Sequence, residues 1–360
     1  MTVLYIVFTT GRCNLKCEYC GGSFPESLVP YEVKYGVDDL KRFISDDPAP
    51  TICFYGGEPL LNRNFIRSVM DEIPRARFVI QTNGTLVRRL EPEYWRRFET
   101  VLLSIDGRQE VTDHYRGSGV YRRVLEAARW LRLNGFRGDL IARMTVTEIT
   151  DIYLDVKHLL ELGLFDHVHW QLDVVWSNRW RDFDGWCERS YLPGLKRLIN
   201  LWLDEAERGT VLGIVPIIGV LGPMVKGERL DCPPCGAGKT SLAISTDGTI
   251  LACPIAVDAR WARLGNIIED SRLKVVGKVG IGEPCLSCTY LKYCGGRCLY
   301  SHIERLWGED GFRRVCRVTI KLIEGLLEIK GRVIELLREG TISLKELSYP
   351  PFNNTTEIIP

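Results

Sequence analysis

Six short apolar runs shape the first half of this 360-residue chain: "VLYIVFT" (3–9), "TICFY" (51–55), "RFVIQT" (77–82), "VLLSI" (101–105), "LIARMTV" (140–146) and "HVHWQL" (167–172). Each is followed by a charged stretch with helical spacing, roughly ten to twenty residues long in the first half of the chain. Parallel strands in one sheet need a crossover of about a dozen residues, which these stretches supply. The expected fold class is therefore α/β, with six βα units closing into a full or partial barrel. Chemistry in such a fold gathers at the carboxyl ends of the strands.

Beyond the sixth run the pattern changes. An aromatic passage, "WSNRWRDFDGWC" (176–187), reads as a bridge, and a helix is expected near 189–208. The stretch "VLGIVPIIGVLGPMV" (211–225), interrupted by Gly and Pro, reads as loop and core. A cysteine-dense region follows from Cys232 to Cys316, and within it "LAISTDGTILACP" suggests a hairpin turning at Asp247-Gly248. After Cys316 the spacing is helical as far as Gly340, and residues 341–360 read as a loosely held tail. The expected organisation is a core over 1–210, a linker over 211–231, a cysteine-rich domain over 232–320, and a carboxyl-terminal helix and tail over 321–360.

Composition narrows the function. Forty-seven basic and 46 acidic residues give a net charge of +1 without long runs of one sign, so nucleic acid is not an expected partner. The first residues lack a basic leader, and no apolar run reaches the roughly 20 residues a membrane crossing needs. A cytoplasmic enzyme is expected. Thirteen cysteines then point to metal or cluster ligation rather than disulfides.

The spacing of those cysteines is informative. Cys13, Cys17 and Cys20 follow the first strand as C-x3-C-x2-C, which leaves three readings: chance, three of four zinc ligands, or three corners of an iron–sulfur cube. Three thiolates on a four-iron cube leave one iron open, as a catalytic site requires. "CNLKCEYC", with Tyr19 before the last cysteine, resembles the signature of the radical S-adenosylmethionine (radical SAM) superfamily. The resemblance implies a partial (β/α)6 TIM-like barrel and a [4Fe-4S] cluster whose fourth iron binds S-adenosylmethionine. It further implies reductive cleavage of that cofactor to a 5′-deoxyadenosyl radical that abstracts hydrogen from substrate.

Further motifs agree with that family. "GGEP" (Gly56, Gly57, Glu58, Pro59) ends strand two, where the family binds the cofactor's ammonium group. "QTNG", containing Asn83, ends strand three, and "SIDG", beginning at Ser104, ends strand four. By the same resemblance Ser104 and Arg143 reach the cofactor's carboxylate and ribose, and "DHYRG" (113–117) is similar to a stretch found in one subgroup.

The second cysteine field runs Cys232-x2-Cys235, then Cys253, then Cys285-x2-Cys288-x5-Cys294-x3-Cys298, then Cys316. This resembles the seven-cysteine SPASM extension of radical SAM enzymes, with Cys232 as an eighth thiol. The family's crossed ligation implies auxiliary cluster I on Cys232, Cys235, Cys253 and Cys298, and auxiliary cluster II on Cys285, Cys288, Cys294 and Cys316. Three [4Fe-4S] clusters follow, in a small α+β domain; a pair of zinc sites is the bland alternative. Cys53 and Cys187 are left over as structural thiols.

The substrate is less legible. Strand six alternates, placing His167, His169, Gln171 and Asp173 on one face, and Gln171 and Asp173 nearest the site are the substrate-contact candidates. Trp176, Trp180 and Trp186 suit either a peptide groove or packing. The family resemblance implies a peptide or protein substrate, with tetrapyrroles as the alternative and ferredoxin or flavodoxin as reductant. Sulfatase activation is disfavoured, because Pro254 stands where that group has an aspartate. No leader-peptide-binding domain is expected before strand one.

Overall fold

The computed structural model describes residues 2–175 and 180–350. Contacts divide the chain into two units: Met1–Ile105 with Thr112–Ile141 and Cys235–Gly280, and Asp106–Val111 with Ala142–Pro234 and Ile281–Pro360. The cysteine-rich region is thus shared between them.

The strands are β1 (Leu4–Thr10), β2 (Thr51–Gly56), β3 (Arg77–Thr82), β4 (Phe98–Ser104), β5 (Asp139–Val146), β6 (His167–Leu172), β7 (Ser241–Ile244), β8 (Thr249–Leu251) and β9 (Arg263–Asn266), in the sheet order β6-β5-β4-β3-β2-β1-β7-β8-β9. Pairing is parallel from β1 through β4, with Ile6 opposite Cys53 and Cys53 opposite Val79. The architecture is the α/β partial, open parallel sheet that the βα alternation implied. All seven residues of β1 are buried, as a strand covered on both faces requires.

β4 begins three residues before the expected run, because Phe98 packs against Trp95 at 5.3 Å and Phe54 at 6.1 Å between ring centroids. The hairpin at Asp247-Gly248 is present: β7 and β8 pair antiparallel, and β7 also pairs parallel with β1. The cysteine-dense region therefore contributes strands to the sheet that begins at β1.

In the second unit, the stretch read as loop and core is core, but its residues from Val215 belong to a helix, Val215–Lys226. Pro216 occupies its first turn, where a missing N–H costs nothing. Gly222 is needed for packing: a Cβ there would lie 2.5 Å from the carbonyl oxygen of Leu347. The tail expectation fails accordingly over 341–350, since Ile342 and Leu347 are buried and Tyr349 meets His167 edge to face at 5.5 Å; residues 351–360 lie outside the described residues. The last helix, Gly308–Glu339, ends at Gly340 with φ 76°, as the sequence suggested. Among the described residues no helix is long and apolar enough to cross a membrane.

One buried carboxylate anchors the start of the first unit. Asp47 accepts from the Val3 amide at 2.9 Å, the Tyr5 hydroxyl at 3.1 Å and the Ala49 amide at 3.0 Å. Replacing it removes three acceptor interactions at once and leaves the donors buried. Asp47→Ala is expected to cost about 3 kcal/mol in unfolding free energy, read from urea denaturation.

Candidate functional site

The loop leaving β1 carries Cys13, Cys17 and Cys20, none of them in a disulfide. Backbone hydrogen bonds fix its course: Cys20 and Gly21 donate to the Cys17 carbonyl at 3.3 and 2.8 Å, and Phe24 donates to Gly11 at 2.9 Å. The Cys13 amide donates to Ser23 Oγ at 2.9 Å, and the Leu15 amide points at Cys13 Sγ at 3.4 Å. Burial raises the Cys13 thiol pKa, against the lowering effect of that amide. A bound metal reverses the balance, because coordination deprotonates a thiol.

The end of β2 is pressed onto this loop. The Gly57 amide donates to Thr10 at 3.1 Å and the Glu58 amide to Arg12 at 2.7 Å. A Cβ on Gly56 would sit 2.3 Å from the Thr10 oxygen, and one on Gly57 would sit 2.1 Å from the Arg12 oxygen. The close approach that these glycines permit is therefore made to the chain's own cysteine loop.

Glu58 is fully buried. Its Oε1 accepts from Thr82 Oγ1 at 2.6 Å and the Leu60 amide at 3.1 Å, and its Oε2 accepts from the Asn83 amide at 2.8 Å. The side chain thus braces the end of β2 against the end of β3. Asn83 in turn donates to Asn14 Oδ1 at 2.9 Å, Asn14 donates to Thr85 Oγ1 at 2.8 Å, and the Thr85 amide and hydroxyl both donate to Asn83 Oδ1. Sequence reading missed Asn14, Thr82 and Thr85, although Asn14 lies inside the triad and Thr82 inside "QTNG". Tyr19 faces Tyr115 at 5.8 Å with the Arg116 guanidinium 5.4 Å from its ring centre, so "DHYRG" packs on the cysteine loop.

Ser104 ends β4 and is buried within the first unit. In the second unit, the buried Asp106 accepts from the Thr145 amide at 2.8 Å. There Arg143 donates to Gln171 Oε1 and, at 3.2 Å, to the Met144 carbonyl. The expected cofactor ligand Arg143 and substrate candidate Gln171 are thereby joined. The Asp173 amide donates to Val146 at 2.9 Å and its carbonyl accepts from Trp180 Nε1 at 2.7 Å. The expected polar face of β6 is uneven, because His169 is fully buried while His167 and Gln171 are half-buried. Trp180 and Trp186 pack on each other at 4.6 Å and on Phe183, which also meets Trp307; Trp176 lies outside the described residues.

Also in the second unit, Cys285, Cys288, Cys294 and Cys316 line one pocket of about 660 Å³, counting the open space at its mouth. A turn holds the first two, with the Cys288 amide donating to Cys285 at 3.0 Å, while Cys294 ends the short helix Leu291–Cys294 and Cys316 comes from the long final helix. Burial, reinforced by the charges of Cys294, Cys316 and Cys288, pushes the Cys285 thiol up to about 11. Cys298 lines the same pocket. Cys232 lies in this unit, where Gly295 would otherwise drive a Cβ to 1.9 Å from its carbonyl oxygen, whereas Cys235 and Cys253 belong to the first. Among the described residues no three His, Cys, Asp or Glu side chains draw close enough to hold a single ion. Cys53, deep in β2, and Cys187, raised to about 12 chiefly by burial, are both buried thiols.

Burial raises the Glu58 carboxyl to about 7, against three lowering hydrogen bonds. An acid whose folded pKa lies above its unfolded value binds more protons folded, so stability falls as pH rises from about 4.5 to about 7. The apoprotein should show that decline in its unfolding free energy, and Glu58→Gln should remove this component of the slope, as chemical denaturation at stepped pH will reveal.

Comparison with known proteins agrees with this geometry. Residues 7–161 match the radical SAM superfamily. The cysteine-type anaerobic sulfatase-maturating enzyme of Clostridium perfringens is 26% identical over 82% of this chain and 88% of its own length. The antilisterial bacteriocin subtilosin biosynthesis protein AlbA of Bacillus subtilis is 24% identical over 80% of this chain and 65% of its own length. The Fe-coproporphyrin III synthase of Methanosarcina barkeri is 32% identical, over 40% of this chain and 37% of its own length. Among solved structures, anSMEcpe with bound AdoMet and the Cp18Cys peptide superposes with a TM-score of 0.72 at 20% identity, over 92% of this chain and 100% of that one. The chain carries a radical SAM domain over residues 7–161, is an enzyme, and has relatives in the class of SPASM-type maturases.

Proposed function

We propose that the protein is a radical SAM/SPASM enzyme that modifies a peptide or protein side chain. The observation that carries this reading is the pair of thiol arrangements: an open set of three on the loop after β1, and four thiols lining one pocket in the second unit. Around a single zinc ion, sulfur atoms on bonds of about 2.3 Å sit about 3.8 Å apart. Among the described residues no three His, Cys, Asp or Glu side chains approach closely enough for such an ion.

Cys13, Cys17 and Cys20 would hold the cluster that leaves one iron open, and Gly56, Gly57 and Asn83 would present backbone and amide groups to S-adenosylmethionine. Glu58, occupied by Thr82, Asn83 and Leu60, would position that segment. Ser104 and Arg143 are the proposed partners of the cofactor's carboxylate and ribose, and Gln171 and Asp173 are the proposed substrate contacts. Cluster and cofactor together supply one-electron cleavage of the sulfonium and a hydrogen-abstracting 5′-deoxyadenosyl radical.

Cys285, Cys288, Cys294 and Cys316 would hold auxiliary cluster II. Cys232, Cys235, Cys253 and Cys298 are assigned to auxiliary cluster I on spacing alone. The reductant would be a low-potential one-electron carrier such as ferredoxin or flavodoxin, and the setting cytoplasmic.

One feature favours a peptide substrate. Similarity to protein- and peptide-maturing relatives runs over about four-fifths of the chain, while similarity to the tetrapyrrole enzyme covers 40% of it. Pro254, after Cys253, argues against sulfatase activation itself.

Anaerobic reconstitution should give about 12 irons per chain, and dithionite with S-adenosylmethionine should yield 5′-deoxyadenosine. Cys13→Ala should abolish that product while retaining about eight irons. Zinc in place of iron, or cofactor turnover stimulated by iron-coproporphyrin and not by peptides, would defeat the reading.

A further inference from the structure

The pocket lined by Cys285, Cys288, Cys294 and Cys316 contains an arginine with no ion-pair partner among the described residues. Arg297 is 7% exposed, and its Nε and Nη2 have no hydrogen-bond partner among the described residues. Among the described residues no carboxylate lines this pocket. A buried guanidinium left uncompensated is among the more expensive things a fold can contain. Its backbone is also held at φ 58°, in the left-handed region that non-glycine residues avoid, between the ligand candidates Cys294 and Cys298.

Two further donors lie at the pocket, Ser301 in its lining and His302 behind Cys285. Ser301 Oγ lines the pocket, is buried and has no partner among the described residues. His302, also buried, accepts the Gly282 amide on Nε2 at 2.8 Å, so the neutral ring carries its proton on Nδ1. That Nδ1 lies 3.5 Å from Cys285 Sγ. Arg305 Nη1 approaches the same nitrogen at 3.4 Å, while its other nitrogens donate to the Glu283 carbonyl and to Glu309.

These groups want an anion. A four-iron cube on four thiolates carries net negative charge, and nothing else in the lining supplies it. We propose that Arg297 is the buried counter-charge of auxiliary cluster II and that, with Ser301 and the Nδ1–H of His302, it raises that cluster's reduction potential. The inference rests on the cluster reading given above. Its physical basis is that reduction adds negative charge, which a fixed cation and fixed sulfur-directed donors stabilise. Arg297 and His302 act through the cluster in this assignment and are positioning residues.

The test is an EPR-monitored reductive titration of the full chain, reconstituted without oxygen, carrying Cys13→Ala, Cys17→Ala and Cys20→Ala so that only auxiliary centres remain. Arg297→Met should make reduction of one centre about tenfold less favourable, a shift of about 59 mV for one electron, while Arg297→Lys keeps the wild-type midpoint. His302→Leu should shift the same centre in the same direction by less. Thermal unfolding supplies the second measurement: Arg297→Met should raise the unfolding temperature of the apoprotein and lower that of the loaded protein. Should Arg297→Met fail to retain the cluster, a more stable apoprotein still supports the assignment and a less stable one overturns it. An unmoved midpoint in a fully loaded variant also overturns it, including the case where only peptide affinity falls. Fewer than about eight irons in the unmutated auxiliary background would instead defeat the cluster reading itself.

Discussion

The first unit depends on two carbonyl oxygens, those of Thr10 and Arg12, lying closer to glycine α-carbons than any side chain would allow. Because Gly56 and Gly57 carry no Cβ, the end of β2 can hydrogen-bond to the chain as it leaves β1, and the cysteine loop starts from a fixed place. A thiolate set for a cluster has to be arranged before the metal arrives, since long flexible loops lose entropy on every contact they form. Here the arrangement is made by backbone: Gly57 and Glu58 amides at the entry, Cys17 and Gly11 carbonyls across the turn.

Glu58 extends that constraint to a third strand. A carboxyl with no solvent contact and three donors converging on it is a structural brace whose protonation depends on the burial it suffers. The neighbouring amide network from Asn83 through Asn14 to Thr85 closes on the triad from the β3 side. Strand ends, cysteine loop and amide ladder therefore form one hydrogen-bonded body, consistent with the preorganisation that a reaction through a free radical demands.

Much of this was legible in the sequence. The six strands could be read because apolar runs separated by charged stretches leave little choice of topology, and the β7–β8 hairpin because Asp-Gly favours a tight turn. Helix Val215–Lys226 was not legible: its glycines and prolines look like breakers, and only the packed Leu347 carbonyl explains Gly222. The buried state of Ile342 and Leu347 escaped notice for the same reason, since a short polar tail gives no periodicity to read. The family resemblance places a cofactor contact at "GGEP"; that the oxygens of Glu58 are already taken by Thr82, Asn83 and Leu60 is a tertiary fact. The even polar face drawn for β6 overlooked that a strand can bury both faces, as His169 does.

The two thiol sites differ in what surrounds them, and the difference is chemical. Around the triad, polar groups satisfy one another: Asn with Asn, Thr with Glu, amide with carbonyl. Around Cys285, Cys288, Cys294 and Cys316 they do not, for Arg297 and Ser301 keep donors unpaired and His302 aims a proton at sulfur. Satisfied polar groups keep a site in shape without biasing its charge, whereas buried unpaired donors bias it strongly in a low-dielectric pocket. The polar groups of the loop after β1 thus hold its shape, whereas those of the pocket in the second unit leave positive charge to be balanced, as the role proposed for Arg297 requires.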